Sequence, residues 1–350
     1  MKRTQRISLG IAGAMAATAL LASAVLPSAQ AAQRPAAAAS QPVNSGIPGQ
    51  VDPAADLAAQ TDTSGDSIYV TSRVKDGGHD YGLLVQVVKI PGGASQLLVS
   101  VSDETTGWYK KYTATSDKLT WSREKLDIKA PGITWTGTMQ NMSVSAETPW
   151  GAIDMQLKND GPAFQYSSNG ITPVYGVVNH HYALPNLTAT ATFTVDGKTT
   201  KAAGTAWLDR QWGPYEGGPN KKFTWLPIHL SNGDTVAVWD IVNGTKENSW
   251  ATVQHPDGSY EVVEVKPLAT KATKFWTSAE SGNTYPTRYV VEIPALHARL
   301  MVNQTGAVNQ ELTAQKGDGR VEATGIVHGV IKGQKVTGDT IIEQAGDYTS

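Results

Sequence analysis

The stretch LTATATFTV, Leu187 to Val195, constrains the fold more than any other. Leu187, Ala189, Ala191, Phe193 and Val195 share one side of an extended chain, and Thr188, Thr190, Thr192 and Thr194 share the other. A helix would scatter both sets around its axis. A strand separates them, because successive side chains point to opposite faces. The β-branched threonines add to that preference. Asp196-Gly197 follows at once and is a tight-hairpin signal. The predicted return strand runs from Thr199 to Trp212. One face of this hairpin should be packed and the other polar or wet.

The same grammar runs through the chain. Ser67 to Val74 precedes the turn Asp76-Gly77-Gly78, and Tyr81 to Ile90 precedes Pro91-Gly92-Gly93. Leu97 to Val101 adds a strand. Past a Gly- and Pro-rich break at 214–222 come Phe223 to Leu230, the turn Ser231 to Asp234, and Thr235 to Val242. Further strands fit Trp250 to Gln254, Tyr260 to Val265, Arg288 to Ile293, Ala298 to Val302, Val321 to His328 and Gln334 to Ile342. Short strands with polar turns predict an all-β barrel or sandwich. The chain has 350 residues, room for about two domains. The break sets them at 65–216 and 217–350.

Residues 1–31 have a basic start (Lys2, Arg3, Arg6), an apolar run from Ile7 to about Val25, and the small-residue exit Ala29-Gln30-Ala31. This pattern predicts a Sec signal peptide cut before Ala32, and a secreted protein without a stable membrane anchor. Residues 32–64 are rich in Ala, Pro, Gln and Ser and read as a disordered spacer. Cysteine is absent, so a secreted chain must rest on a sizeable core. Its absence also excludes zinc–thiolate sites and cysteine nucleophiles. A net charge of −2 gives no electrostatic case for nucleic acid. The seven histidines lack ligand spacing, so neither a metal nor a cofactor is expected. No Rossmann, P-loop, zinc-protease or G-x-S-x-G motif occurs.

The stretch GTAWLDRQWG, Gly204 to Gly213, places unusual residues in a predicted strand. Trp207, Asp209 and Gln211 share one face; Ala206, Leu208, Arg210 and Trp212 share the other. Which face points inward is not fixed by the pattern. A buried Asp209 would lose solvation and tend to hold its proton, unless a partner stabilises the charge. Beside aromatic rings, such an acid can protonate an alkene while the rings stabilise the cation. The other reading is a buried ion-pair network that pins two barrels together.

The run HHYALPNLTATATFTVDGKTTKAAGTAWLDRQWG resembles the central segment of the carotenoid 1,2-hydratase / AttH-like family, to which kievitone hydratase and lipocalin-like Diels-Alderases are related. His181-Tyr182-Ala183-Leu184-Pro185 stands for the family's Tyr-rich strand, and Gly204 to Gly213 for its "G-x-A-W-x-D-[RH]-x-W-[GS]". Weaker likenesses extend from Asp80–Gln86 to Asn309–Leu312, Val336–Glu343 and Gly346-Asp347-Tyr348, so coverage is roughly Asp66 to Tyr348. The resemblance implies two lipocalin-like antiparallel β-barrels. It implies Asp209 as proton donor, with Trp207 and Tyr182 stabilising positive charge. Arg210, Gln211, His181 and Trp212 would contact substrate or orient water. The chain departs from the family's early W-W-Y-like motif with Ser67-Ile68-Tyr69, which implies a reduced aromatic wall.

The expected protein is a secreted monomer with a hydrophobic small-molecule substrate, isoprenoid or polyketide-like. The leading reaction class is acid-catalysed hydration, isomerisation or cyclisation at a carbon–carbon double bond. The alternatives are a non-catalytic extracellular carrier and a pericyclic cyclase. Elsewhere, Trp225, Trp239 and Trp250 are expected in the core, Asp240 is expected to pair with an arginine, and Glu216 falls in the boundary loop.

Overall fold

The computed structural model describes residues 49–61, 64–214 and 220–349. The expected signal peptide, the spacer to residue 48, and Glu216 lie outside these residues. The alternating run forms the strand Val177–Val195, with Leu187, Ala189, Ala191 and Phe193 buried, Thr188 and Thr190 exposed, and Thr192 and Thr194 half-buried. It turns at Asp196-Gly197 into Lys198–Gly213. Gly204 is required there by close approach: a Cβ would sit 2.1 Å from the carbonyl oxygen of Arg73.

Two curled antiparallel sheets make up the fold. In each, the first strand pairs with the last. Gly65–Lys75 lies beside Lys198–Gly213, and Lys221–Leu230 lies beside Gln334–Ala345. That pairing rolls each sheet into a lipocalin-like curl. The first sheet spans 65–213 and the second 221–345. Its ladder runs from Trp108–Ser116 through Ser95–Asp103, Asp80–Lys89 and Gly65–Lys75 to the central hairpin. Beyond the hairpin lie Gly151–Asn159, Asn141–Thr148, Ile133–Gly137, Leu126–Ala130 and Thr120–Trp121. The sequence pattern did not single out these last strands. Their exposed positions carry Lys, Asp, Gln, Thr and Ser, and their apolar runs are short.

Each curl fills its own interior. Ile68, Val70, Val85, Val99, Trp135, Met155, Tyr182 and Leu208 pack inside the first. Leu226, Val238, Tyr285, Tyr289, Leu300 and Ile342 pack inside the second. A third cluster lies in the seam between the sheets and is strongly aromatic: Tyr69, Phe164, Tyr166, Trp207, Phe223, Trp225, Trp239 and Tyr260. Trp250 packs against it from a partly buried position.

The expected spacer needs correction at its end. Residues 49–61 are part of the fold. They form a short 3-10 turn, Ala55–Leu57, with Leu57 at 1% exposure in the first core. Backbone carbonyls of this segment supply what holds it: Arg210 binds the carbonyls of Asp56 and Ala58, and Tyr182 binds that of Pro53. Low hydrophobicity alone hid a segment whose anchor lies on a distant strand.

Candidate functional site

Asp209 is the centre of the seam. It is 2% exposed and accepts from three donors. The Tyr166 hydroxyl donates to Oδ1 at 2.8 Å, and His181 Nε2 lies 3.1 Å from the same atom. The Trp207 indole donates to Oδ2 at 3.0 Å. Strand geometry explains two of these contacts. Trp207 and Asp209 are two apart on one strand, and His181 lies on the neighbouring strand, opposite Gln211.

Tyr166 arrives differently. It sits on a tight turn, Tyr166–Ser168, that follows the short strand Phe164–Gln165 paired with Tyr182 and Ala183. Ser167 and Ser168 both hold positive φ, 51° and 62°. Non-glycine residues there store local strain, which concentrates at functional positions. The ring of Tyr166 stacks on His181 with centroids 3.6 Å apart. Burial, then the charge of Asp209, pushes the Tyr166 hydroxyl well above its ordinary range. Burial lowers His181, and its bond to Asp209 works against that. The imidazole is thus biased to neutral while its carboxylate neighbour stands ready to stabilise a proton on it.

Aromatic rings enclose this group. Trp207 meets Trp225 edge-on at 6.1 Å, and Trp225 meets Tyr69 at 5.9 Å. Trp239 meets His181 and Trp225. Tyr69, the aromatic that remains of the early motif, is the register partner of Asp209. A cleft with about 30 Å³ of free space, room for one water, reaches Trp207 from the side of His229 and Asp339.

The structure therefore brings Asp209, Trp207, Gln211 and His181 onto one face, toward the second sheet. It does not bring Tyr182, Arg210 or Trp212 there. Those three point into the first curl, because they occupy the alternate positions of the same two strands. Tyr182 is bound to Pro53, and Trp212 stacks on His180 at 5.1 Å. Arg210, fully buried, binds Asp66 Oδ1 at 2.8 Å and lies over the ring of Trp121. The tyrosine at Asp209 is Tyr166, which no sequence motif marked; only the turn signal Ser167 to Gly170 stands near it.

Asp240 also differs from expectation. It accepts from the Ser249 hydroxyl and the N–H groups of Leu268 and Ala269, not from an arginine. Among the described residues no group of His, Asp and Glu is placed to hold a metal ion.

Fold and site together define a two-sheet, lipocalin-like protein with a buried acid in its aromatic seam. Residues 96–330 match the AttH-like family model, and the chain belongs to that family. No curated protein matches. Among solved structures, an AttH protein from Nitrosomonas europaea is similar, with a TM-score of 0.74 at 18% identity over 87% of this chain and 99% of that one. Kievitone hydratase from Nectria haematococca is equally similar, at 0.74 and 18% over 89% and 99%. CghA with Sch210972 is more distant, at 0.53 and 11% over 81% and 89%. These likenesses carry the fold.

Proposed function

We propose that this protein is a secreted hydratase-type enzyme that adds water across a carbon–carbon double bond of a hydrophobic, isoprenoid-like small molecule. The observation that carries the reading is the Asp209 group enclosed by Trp207, Trp225, Trp239 and Tyr69. Protonating an alkene leaves a carbocation, and aromatic faces in a dry site stabilise one. Hydration also needs a group that takes a proton from the attacking water. Asp209 has its oxygens turned to donors, so it suits that accepting role together with His181. The proton-donor role expected from the motif fits this geometry less well. The kinship with a kievitone hydratase fold supports the same reaction class.

The test is turnover of a panel containing kievitone and geraniol, followed by mass spectrometry for the mass of one added water. Wild-type product that disappears in Asp209→Asn supports the reading. Equal product from both proteins would overturn the role of Asp209.

A second reading follows from the same carboxylate. Asp209 is fully partnered and almost unexposed, as a structural pin would be. An extracellular carrier of a hydrophobic ligand would look the same. It would release its ligand unchanged in native mass spectrometry followed by organic extraction.

A further inference from the structure

Opposite Asp209, the second sheet presents two carboxylates and one guanidinium. Glu322 and Glu343 are cross-strand partners, at 5% and 2% exposure, and Arg320 is fully buried beside them. Arg320 Nη2 meets Glu322 Oε1 and lies 3.2 Å from Glu343 Oε1. The cluster bridges the seam. Arg320 Nη1 donates to Gln86 Oε1 at 2.7 Å, and the Tyr69 hydroxyl donates to Glu322 Oε2 at 3.0 Å.

Charge does not balance if both carboxyls ionise. One guanidinium compensates one carboxylate. Among the described residues, the other groups that act most strongly on the pair are Asp209, Tyr69, Tyr109 and Tyr166, and none of these is a cation. An uncompensated buried carboxylate is as costly as a buried ion pair that has lost one partner. The pair therefore holds one proton. Burial pushes both carboxyls up. Glu322 is already hydrogen-bonded by Tyr69. Glu343, among the described residues, has only Arg320 as a polar contact, and its Oε1 accepts no hydrogen bond. The proton belongs on Glu343. Glu343 is also the register partner of Trp225, the ring between Tyr69 and Trp207.

We infer that Glu343 is the proton donor for the alkene reaction, facing the Asp209–His181 pair across the aromatic seam. The inference rests on the hydratase reading. The Glu343 O–H bond breaks as the alkene π pair forms a C–H bond, leaving a cation at the second carbon. A water oxygen lone pair then forms the C–O bond. The proton lost from that water goes to the Asp209–His181 pair and, by way of solvent, restores Glu343. The net change is alkene plus water to alcohol, and no oxidant or reductant is needed.

An opening lies at the end of the cross-strand row that runs to Asp209. A cleft of about 300 Å³ opens at the edge of the first sheet, lined by Leu98, Lys111, Thr113, Glu280 and Leu312. Leu98, Gln86, Tyr69 and Asp209 form one cross-strand row. Strands lie about 4.8 Å apart, so this cleft ends one strand from the Gln86–Arg320 bond and three from Asp209. Lys111 and Glu280 bridge the opening at 2.8 Å.

Infrared difference spectra between wild type and variants test the proton without any substrate, because buried carboxyls common to both proteins, Asp240 and Asp318 among them, cancel. The wild-type minus Glu343→Gln spectrum at neutral pH should show a protonated carboxyl band, and the wild-type minus Asp209→Asn spectrum should not. A missing band in the first difference, or a band of the same size in the second, overturns the assignment. With whichever panel alkene is hydrated, Glu343→Gln should lose about 100-fold or more in kcat. It should also lose the fall in kcat that wild type shows as pH rises through the titration of its acid. Glu343→Asp keeps an acid and should keep a displaced fall; it serves if the glutamine variant does not fold. Turnover of Glu343→Gln within a few-fold of wild type, while Asp209→Asn is inactive, would sink Glu343 and leave the site reading standing. If wild type hydrates nothing in the panel, the hydratase reading and the catalytic role fall together. The infrared band alone then decides whether the proton assignment survives.

Discussion

Tyr69 and Asp209 are register partners on adjacent strands, yet each is bound to a different wall of the seam. Asp209 takes its donors from its own sheet, whereas the Tyr69 hydroxyl crosses to Glu322 at 3.0 Å. Tyr69→Phe removes that crossing and leaves a buried carboxyl short of a donor. The expected cost is about 1–3 kcal/mol of stability. Urea unfolding checks it; an unchanged midpoint would mean that the bond contributes nothing net.

Two tyrosines, Tyr166 on the turn beside the central hairpin and Tyr182 on the hairpin's first strand, separate the roles assigned to them. Tyr166→Phe removes the hydroxyl that donates to Asp209. Tyr182→Phe removes the hydroxyl that donates to Pro53 inside the first curl. Each change should cost about 1 kcal/mol of stability. Only Tyr166→Phe should lower turnover, by tenfold or more on the order expected for a lost preorganised donor. Equal activity losses in the two variants would show that the face assignment does not govern the chemistry.

Arg210 holds the 49–61 segment to the barrel. Its guanidinium binds Asp66 and the carbonyls of Asp56, Ala58 and Ser67, and it lies over Trp121 and Trp212. Arg210→Ala would leave Asp66 buried without its charge partner, at a cost of about 3–5 kcal/mol. Arg210→Lys should recover little, since one ammonium cannot reproduce the planar fork. Limited proteolysis should then cut within 49–61 first. Protection of that segment in Arg210→Ala would show that other contacts hold it.

Much of this was legible because strand periodicity is strict. The two faces of 206–212 follow from counting by two. Their destinations do not. Trp207 and Asp209 look inward or outward depending on which apolar face a curl buries, and here the polar set faces a second sheet whose arrival no local pattern announces. Tyr166 was invisible for the same reason. It reaches Asp209 from 43 residues away by a strained turn, and Phe164-Gln165-Tyr166 has no distinguishing spacing. Glu322 and Glu343 sit in strands that read as ordinary alternation, and only their cross-strand pairing makes them unusual. The alternation of Thr188 to Thr194, by contrast, depends on nothing distant, and the structure repeats it position by position.

Asp318 gives a pH test outside the site. It lies in the turn before the strand Arg320–Ile331, and burial raises its carboxyl from 3.8 to about 7. The folded state thus binds this proton more tightly than the unfolded chain does. Its contribution to stability is complete below the ordinary value of 3.8 and is lost as pH rises through about 7. Asp318→Asn keeps the shape without the charge. The difference in unfolding free energy between wild type and variant should move steadily in favour of the variant across that window, then level off. Other buried carboxyls, Asp240 among them, titrate in both proteins and cancel in the difference. Urea midpoints at several pH values read this directly. Parallel curves for the two proteins would place the Asp318 carboxylate in contact with solvent or with a cation, and would remove burial as its governing influence.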